Sequence, residues 1–176
     1  QLLTKLCLNW IDWDVDHERA SFWVVFAHIQ ILLEIGVDPN TRVVRVYPYD
    51  TSYVCFLVDT LLKNCVDSAD SLPWRIQQNC VPLEKLMKLF LSHGASVDVT
   101  GYIESESVED NTLPLEGFID GLCHANLYKN PGEFPECVRP IFDLLVNNSQ
   151  FANVSHPHHQ SEMKRMKILT EFFWGS

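Results

Sequence analysis

Two stretches of the sequence, LLEIGVDPN at residues 32–40 and LFLSHGASVD at residues 89–98, combine the same features in the same order. In each, a leucine-rich apolar run ends at a glycine, Gly36 or Gly94, and a short polar turn containing Asp follows. Glycine readily adopts the left-handed conformation that ends many helices, so both stretches are typical of a helix C-terminus followed by a turn. A unit that occurs twice predicts a repeat protein, and repeat surfaces generally bind other macromolecules.

The predicted elements around these stretches follow the order helix, helix and turn, three times along the chain. Apolar residues recur at helical spacing in each predicted helix, as in Val25, Ile29, Leu32 and Leu33. The interval from Gly36 to Gly94 is 58 residues (94 − 36), and the interval from Gly94 to Ser149 is 55 residues (149 − 94). Asn147-Asn148-Ser149 is interpreted as a third helix stop, because Asn can also take the left-handed conformation. The sequence therefore predicts an all-α fold.

Several boundaries are predicted from local signals. Ser21 is expected to cap the second helix, and Asp50-Thr51-Ser52 offers caps for the third. Residues 43–47 are β-branched and extended in character, residues 64–80 are interpreted as a loop, and Pro82 is placed in the first turn of the fourth helix.

Charge and cysteine content narrow the functional classes. The formal net charge of −10 at pH 7 disfavours binding to nucleic acid and to anionic membranes. No apolar run is long enough to cross a bilayer, and the N-terminus lacks the pattern of a signal peptide. The six cysteines form no CxxC pair, and several lie among apolar residues, so we expect buried, reduced thiols in a cytoplasmic protein.

The segments 29–41 and 83–101 resemble the ankyrin repeat, whose outer helix ends in a leucine-rich stretch followed by Gly-Ala-Asp and Asn at the start of a finger-like turn. Thr112-Leu113-Pro114-Leu115 loosely resembles the Thr-Pro-Leu-His opening of that family's inner helix. An ankyrin unit takes about 33 residues, so the units of this chain are lengthened. The resemblance implies an α-solenoid of stacked antiparallel helix pairs in a single domain, 1–176, with units at approximately 1–49, 50–111 and 112–176.

The resemblance also implies a protein–protein interaction module that binds through a concave face of fingers and inner helices. The partner would be another protein or another domain of the same protein, and we expect a monomer if the chain is not truncated. The expected contact residues are Thr41, Arg42, Arg45, Tyr47 and Tyr49 in the first finger and Thr100, Tyr102 and Glu104 in the second. The turn residues Gly36, Asp38, Asn40, Gly94 and Asp98 are expected to be structural.

Lengthened units of this kind are similar to the C-terminal repeat regions of large fungal proteins that carry a NACHT domain of the STAND class. The chain itself contains no GxxxxGK[ST] phosphate-binding loop. A second interpretation is a scaffold that packs on other domains of a longer chain, which an exposed apolar end at Trp10 or Phe173 would favour.

A third interpretation is an enzyme that depends on a cysteine or a metal. The sequence offers His156, His158 and His159 as a small histidine cluster, and Cys123-His124 as an adjacent pair. Neither forms a complete ligand set or a catalytic signature. The acidic residues between 104 and 110 lack the pattern of a calcium loop. We therefore predict no catalytic residue, no metal site and no cofactor.

Overall fold

The computed structural model describes residues 2–11, 20–46, 49–66, 73–99, 101–102, 111–118 and 138–150. Across these residues the chain is mostly helical, with two short antiparallel hairpins. In chain order the elements are α1 (Leu2–Ile11), α2 (Ala20–Glu34), β1 (Val43–Val46), β2 (Tyr49–Thr51), α3 (Tyr53–Val66), α4 (Pro73–Ser92), β3 (Gly101–Tyr102), β4 (Asn111–Thr112), α5 (114–118) and α6 (Arg139–Asn148). The predicted helical class is confirmed in this coarse form.

The helices pack in consecutive pairs around one apolar core. Helix α1 contacts α2, α3 contacts α4, and α4 also contacts α2 and α6. Aromatic rings join these helices, because Tyr53 of α3 stacks on Phe90 of α4 with 5.0 Å between ring centroids. Phe118 of α5 stacks on Phe142 of α6 at 5.8 Å. Thr4 of α1 and Tyr53 share a hydrogen bond between their hydroxyl groups, 2.9 Å long, so α1 lies beside α3.

Gly36 and Gly94, which we call the glycine stops, end their helices in the left-handed conformation that the sequence predicted. Gly36 and Gly94 have φ of 93° and 88°, the left-handed conformation that glycine adopts without a steric cost. After each glycine the next N–H bonds back five residues, from Val37 to the Leu32 carbonyl and from Ala95 to the Phe90 carbonyl, both at 3.0 Å. These bonds satisfy carbonyls at the helix end and complete a Schellman-type C-cap.

Three boundary predictions are wrong. Helix α4 begins at Pro73, so residues 73–80 are helical and Pro82 lies inside the helix instead of in its first turn. Pro73 and Pro82 are both compatible with the first turn of a helix because their φ is fixed, so the sequence alone did not distinguish between the two positions. Ser21 lies within α2, which begins one residue earlier. Ser149 ends α6 in an extended conformation with φ −84° and ψ 130°, so it does not copy the left-handed glycine stops.

The two hairpins follow the two glycine stops. Strand β1 confirms the extended character predicted for this segment, and it pairs with β2 in a register that shifts between Val44 and Val46. Strand β3 pairs with β4, and β3 also contacts β2, so the hairpins lie side by side. Ser52 caps α3 as predicted, since its Oγ accepts the Cys55 N–H at 3.1 Å.

Candidate protein-interaction surface

The turns after Gly36 and Gly94 share a local hydrogen bond at corresponding positions. The Asn40 N–H donates to Oδ1 of Asp38 at 2.8 Å. The Asp98 N–H donates to Oγ of Ser96 at 3.1 Å. Asn40 and Asp98 each stand four residues after their glycine, so the same residue position is held by the same type of side-chain bond.

Asn40 and Asp98 also bond to the helix end that comes next along the chain. Asn40 donates through Nδ2 to the Gly94 carbonyl at 3.0 Å and accepts the Ser96 N–H at 2.8 Å. Asp98 accepts the Ser149 hydroxyl at 2.7 Å and the Gln150 N–H at 2.8 Å. Each of the two turns is therefore tied to the next helix end by two side-chain hydrogen bonds, across 51 to 56 residues of sequence.

The hairpins meet at a point where only glycine fits. A Cβ added at Gly101 of β3 would lie 2.7 Å from Oγ1 of Thr51, 2.9 Å from Sγ of Cys55 and 2.9 Å from the backbone N of Ser52. The Cys55 thiol also donates to the Val99 carbonyl at 3.6 Å. The second hairpin is thus packed closely on the base of the first one and on the start of α3.

The predicted contact residues differ in what the structure describes of them. Thr41 and Arg42 are exposed at the entry to the first hairpin, as a contact surface requires. Arg45, Tyr49 and Tyr102 lie in strands β1, β2 and β3, where the backbone alone is described. The predicted contacts Tyr47, Thr100 and Glu104 lie outside the described residues, as do Phe173 and the side chain of Trp10. Of the predicted contact residues, the structure thus describes the side chains of the adjacent Thr41 and Arg42, and both are exposed.

The inner-helix part of the predicted face is not accessible on α3. All residues from 51 to 62 are buried, including the polar Asp59 and Thr60. The helical spacing predicted one apolar stripe on α3, but buried apolar residues also lie outside that stripe, among them Cys55 and Phe56. A helix that is apolar nearly all round is usually buried, so α3 contributes core and no contact surface over these residues.

Helix α2 exposes several large apolar side chains that its sequence periodicity did not predict. Trp23, Val24 and Ile31 of α2 and Ile35 directly after it are all more than half exposed, at 51%, 55%, 54% and 72%, and the polar His28 and Glu34 are exposed among them. The signal was present, because α2 contains a single acidic residue, Glu34, and no Lys or Arg. A helix of that composition is too apolar to have one apolar face only.

The described thiols are buried, and burial keeps those of Cys7 and Cys55 protonated. Cys7, Cys55 and Cys80 are buried, as predicted. Burial raises the pKa of Cys7 from 9.0 to about 12. Burial also raises the pKa of Cys55 to about 11, although hydrogen bonds from Ser52 and Thr51 and the charge of Arg42 act in the opposite direction. A thiol that stays protonated is a poor nucleophile.

The described residues carry no group of three or more His, Cys, Asp or Glu side chains that could hold a metal ion. The histidine cluster at 156–159 and the pair Cys123-His124 lie outside them. No described helix combines the length and the apolar character needed to cross a bilayer. Comparison of the chain with known protein families, with curated proteins and with solved structures found no match.

Proposed function

We propose that this chain is a protein–protein interaction module, built as an α-solenoid of stacked ankyrin-like helix pairs with lengthened units. The observation that carries the proposal is the recurrence of one set of turn bonds. Asn40 and Asp98 stand at corresponding positions, and each bonds to the helix end that comes next along the chain. Bonds between successive units are what a stacked array needs, because each unit is stabilised mainly by its neighbours.

The contact face in this proposal is the hairpin side of the stack. Thr41 and Arg42 are exposed there, and the close approach at Gly101 holds the two hairpins in one surface. Because α3 is buried, the face is narrower than a full concave surface of fingers and inner helices. An exposed Arg is a favourable contact residue, since its guanidinium offers several hydrogen-bond donors together with a charge.

The proposal extends to the parent protein, the cellular location and the kind of partner. Lengthened ankyrin-like units support a place in the C-terminal repeat region of a fungal NACHT-type protein, and the buried thiols support a cytoplasmic location. The partner is then a protein or a further domain of the parent chain. The net charge of −10 supports a protein partner over nucleic acid or an anionic membrane.

The test compares two charge reversals on different faces. The full chain, Arg42→Glu and Lys88→Glu are immobilised in parallel, and proteins captured from a native host extract are quantified by mass spectrometry. Arg42 is exposed beside the first hairpin, whereas Lys88 is exposed on α4. We expect at least one partner to fall by about tenfold with Arg42→Glu and to be retained with Lys88→Glu.

Circular dichroism of both variants checks that the helices are intact. If the unsubstituted chain and Arg42→Glu capture the same proteins in equal amounts, the hairpin side is not the contact face. Equal loss in both variants would show a general charge effect, which also contradicts a specific face.

A further inference from the structure

Helices α2 and α4 can be compared position by position, because each ends at a glycine stop. Residues at the same distance before Gly36 and before Gly94 occupy corresponding places in the two helices. The positions eleven and seven residues before each glycine are in the core of both, as Val25 and Ile29 in α2 and as Leu83 and Met87 in α4. A position that is exposed in one helix and covered in the other therefore marks a difference in what packs on it.

Four positions are exposed in α2 and covered in α4. In α2 they are held by four residues, which we call the open side of α2: Val24, His28, Ile31 and Ile35. The corresponding residues of α4 are Leu86, which is 1% exposed, and the partly buried Pro82, Leu89 and His93. At about 100° per residue the four positions lie within about 60° of one another, so they form one side of the helix. The Ile35 N–H donates to the Ile31 carbonyl, so the helical path continues to Ile35.

The remaining exposed residues of α2 lie where α4 is exposed as well. Trp23 corresponds to Val81, thirteen residues before the glycine, and all of these side chains are exposed in both helices at the matching position two residues before it, Glu34 and Ser92. Exposure at these positions belongs to the solvent side that the two helices share. The open side of α2 is therefore distinct from the surface that carries Trp23 and Glu34.

In the second helix pair, the first pair covers this side. Helix α2 packs on α4, and α1 lies beside α3 through the bond between Thr4 and Tyr53. Residues 53–62 of α3 are all buried, whereas Leu2 of α1 is 58% exposed. Leu2 lies about 200° round α1 from Thr4, on the side turned away from α3. Both helices of the first pair thus expose apolar side chains where both helices of the second pair are covered.

The turn of the first pair has the same vacancy in its hydrogen bonds. The Gly94 carbonyl and the Ser96 N–H are bonded by Asn40, and their counterparts are the Gly36 carbonyl and the Asp38 N–H. Both Gly36 and Asp38 are exposed, and no group in the described part of the chain bonds to that carbonyl or that N–H. One acceptor and one donor therefore stand open at the end of the open side.

We propose that the open side of α2, together with the turn after Gly36, is a docking surface for a further helix pair of the same kind, whose turn carries Asn four residues after its helix stop. That Asn donates through Nδ2 to the Gly36 carbonyl and accepts the Asp38 N–H, as Asn40 does at Gly94 and Ser96. An apolar helix of the same pair covers the open side. Because successive pairs follow chain order, this pair precedes α1 in the parent chain. The inference rests on the stacked arrangement of the proposed function, and it names one partner of that stack.

The pattern of donors and acceptors selects Asn over Asp in this partner. Asp98 suits its own site, because the Ser149 hydroxyl and the Gln150 N–H both donate to it. The turn after Gly36 offers one acceptor and one donor, which a carboxamide matches and an ionised carboxylate does not.

The same pattern disfavours a second copy of this chain as the occupant. Within the described part of the chain, the side chains that stand four residues after a glycine stop are Asn40 and Asp98. Both are already bonded inside their own molecule. Two molecules that each carry a net charge of −10 also repel one another.

The test supplies such a pair covalently, in a tandem chain in which residues 1–52 are repeated ahead of Gln1. Ile31→Cys in the original copy reports on the open side through its rate of alkylation by iodoacetamide, followed by mass spectrometry. We expect this rate to be about tenfold lower in the tandem chain than in the 176-residue chain. Val81→Cys, on the solvent side of α4, is the matched control and should react equally fast in both chains.

Substitutions confined to the added copy test the hydrogen bonds. Asn40→Ala and Asn40→Asp there should each return the alkylation rate of Ile31→Cys most of the way to that of the 176-residue chain. Thr41→Ala in the added copy changes the neighbouring exposed turn residue and should keep the slow rate. Urea unfolding gives a second measurement, because a stacked pair should raise the unfolding midpoint of the original part.

Three results would overturn the proposal. The first is an equal alkylation rate of Ile31→Cys in the two chains together with an unchanged unfolding midpoint, which includes an added copy that stays unfolded. The second is a slow rate that Asn40→Ala in the added copy leaves unchanged. The third is alkylation in the 176-residue chain that slows as its concentration rises, which would assign the open side to a second copy instead.

The capture experiment with Arg42→Glu uses no added pair and concerns the hairpin side. Capture that depends on Arg42, without protection of Ile31→Cys, would remove the docking surface and leave the proposed contact face. Protection of Ile31→Cys without such capture would do the reverse, so the two proposals fail separately.

Discussion

At the scale of single residues, Gly94 is required because of its backbone conformation and not because of the space around it. Its φ is 88°, and an added Cβ would meet no atom within 4 Å. Space is therefore available at this site, and the cost of a side chain comes from the left-handed conformation. That conformation was predictable, because a glycine after a helical apolar run followed by a turn is a sequence signal in itself.

Gly94→Val should lower the free energy of unfolding by about 2 kcal/mol, because a β-branched residue is poorly tolerated at positive φ. Gly94→Asn should cost less, since Asn enters the left-handed region more readily. Urea unfolding of both variants provides the measurement. The C-cap account is wrong if Val and Asn at this position are equally well tolerated.

At the scale of elements, the apolar stripes predicted where the helices lie, but they did not predict how deeply each helix is buried or which elements it contacts. The period of the stripe in α2 and α4 is a local property of the sequence, so the helices could be located. Pro73 and Pro82 are both compatible with a helix start, and the choice between them depends on packing. The burial of α3 and the bonds from Asn40 to Ser96 depend on which elements become neighbours, which one sequence does not state.

Gly101→Ala should separate the two hairpins. The new Cβ would stand 2.9 Å or less from Thr51, Cys55 and the backbone of Ser52. Overpacking of this kind costs about 1–3 kcal/mol, measurable by thermal or urea unfolding. Cys55→Ala should relieve only part of the loss, because the Ser52 backbone cannot move out of the way. Full stability of Gly101→Ala would show that the hairpins are not in close contact.

At the scale of the whole molecule, three buried thiols, one in each of three helices, can be used to follow unfolding. Cys7 lies in α1, Cys55 in α3 and Cys80 in α4. We expect iodoacetamide to leave all three unmodified in the native protein and to modify them together as urea unfolds it. Mass spectrometry of the labelled peptides gives each rate. Rapid labelling of any one thiol under native conditions would contradict the packing described for its helix.

Two of these thiols, Cys7 and Cys55, make the free energy of unfolding depend on alkaline pH. In the unfolded chain a thiol ionises near its ordinary pKa of 9.0, whereas burial holds Cys7 protonated to about 12 and Cys55 to about 11. The stability that these two buried thiols contribute is therefore complete below pH 9. It should be lost as the pH rises above 9, up to about 11 for Cys55 and up to about 12 for Cys7. The double variant Cys7→Ala/Cys55→Ala should lose less stability over this range, when unfolding is followed by urea titration at each pH. An unchanged pH dependence would contradict the shifted pKa values.

The central claim is that the turns after Gly36 and Gly94 are each tied to the next helix end by the side chain four residues after the glycine. Amide hydrogen exchange, measured by NMR at Ser96 and Gln150, tests it directly. The account predicts that Asn40→Ala speeds exchange at Ser96 relative to Gln150, and that Asp98→Ala speeds exchange at Gln150 relative to Ser96. If neither substitution changes the exchange of the amide it is expected to bond, the turns are not joined in this way and the stacked arrangement loses its main support.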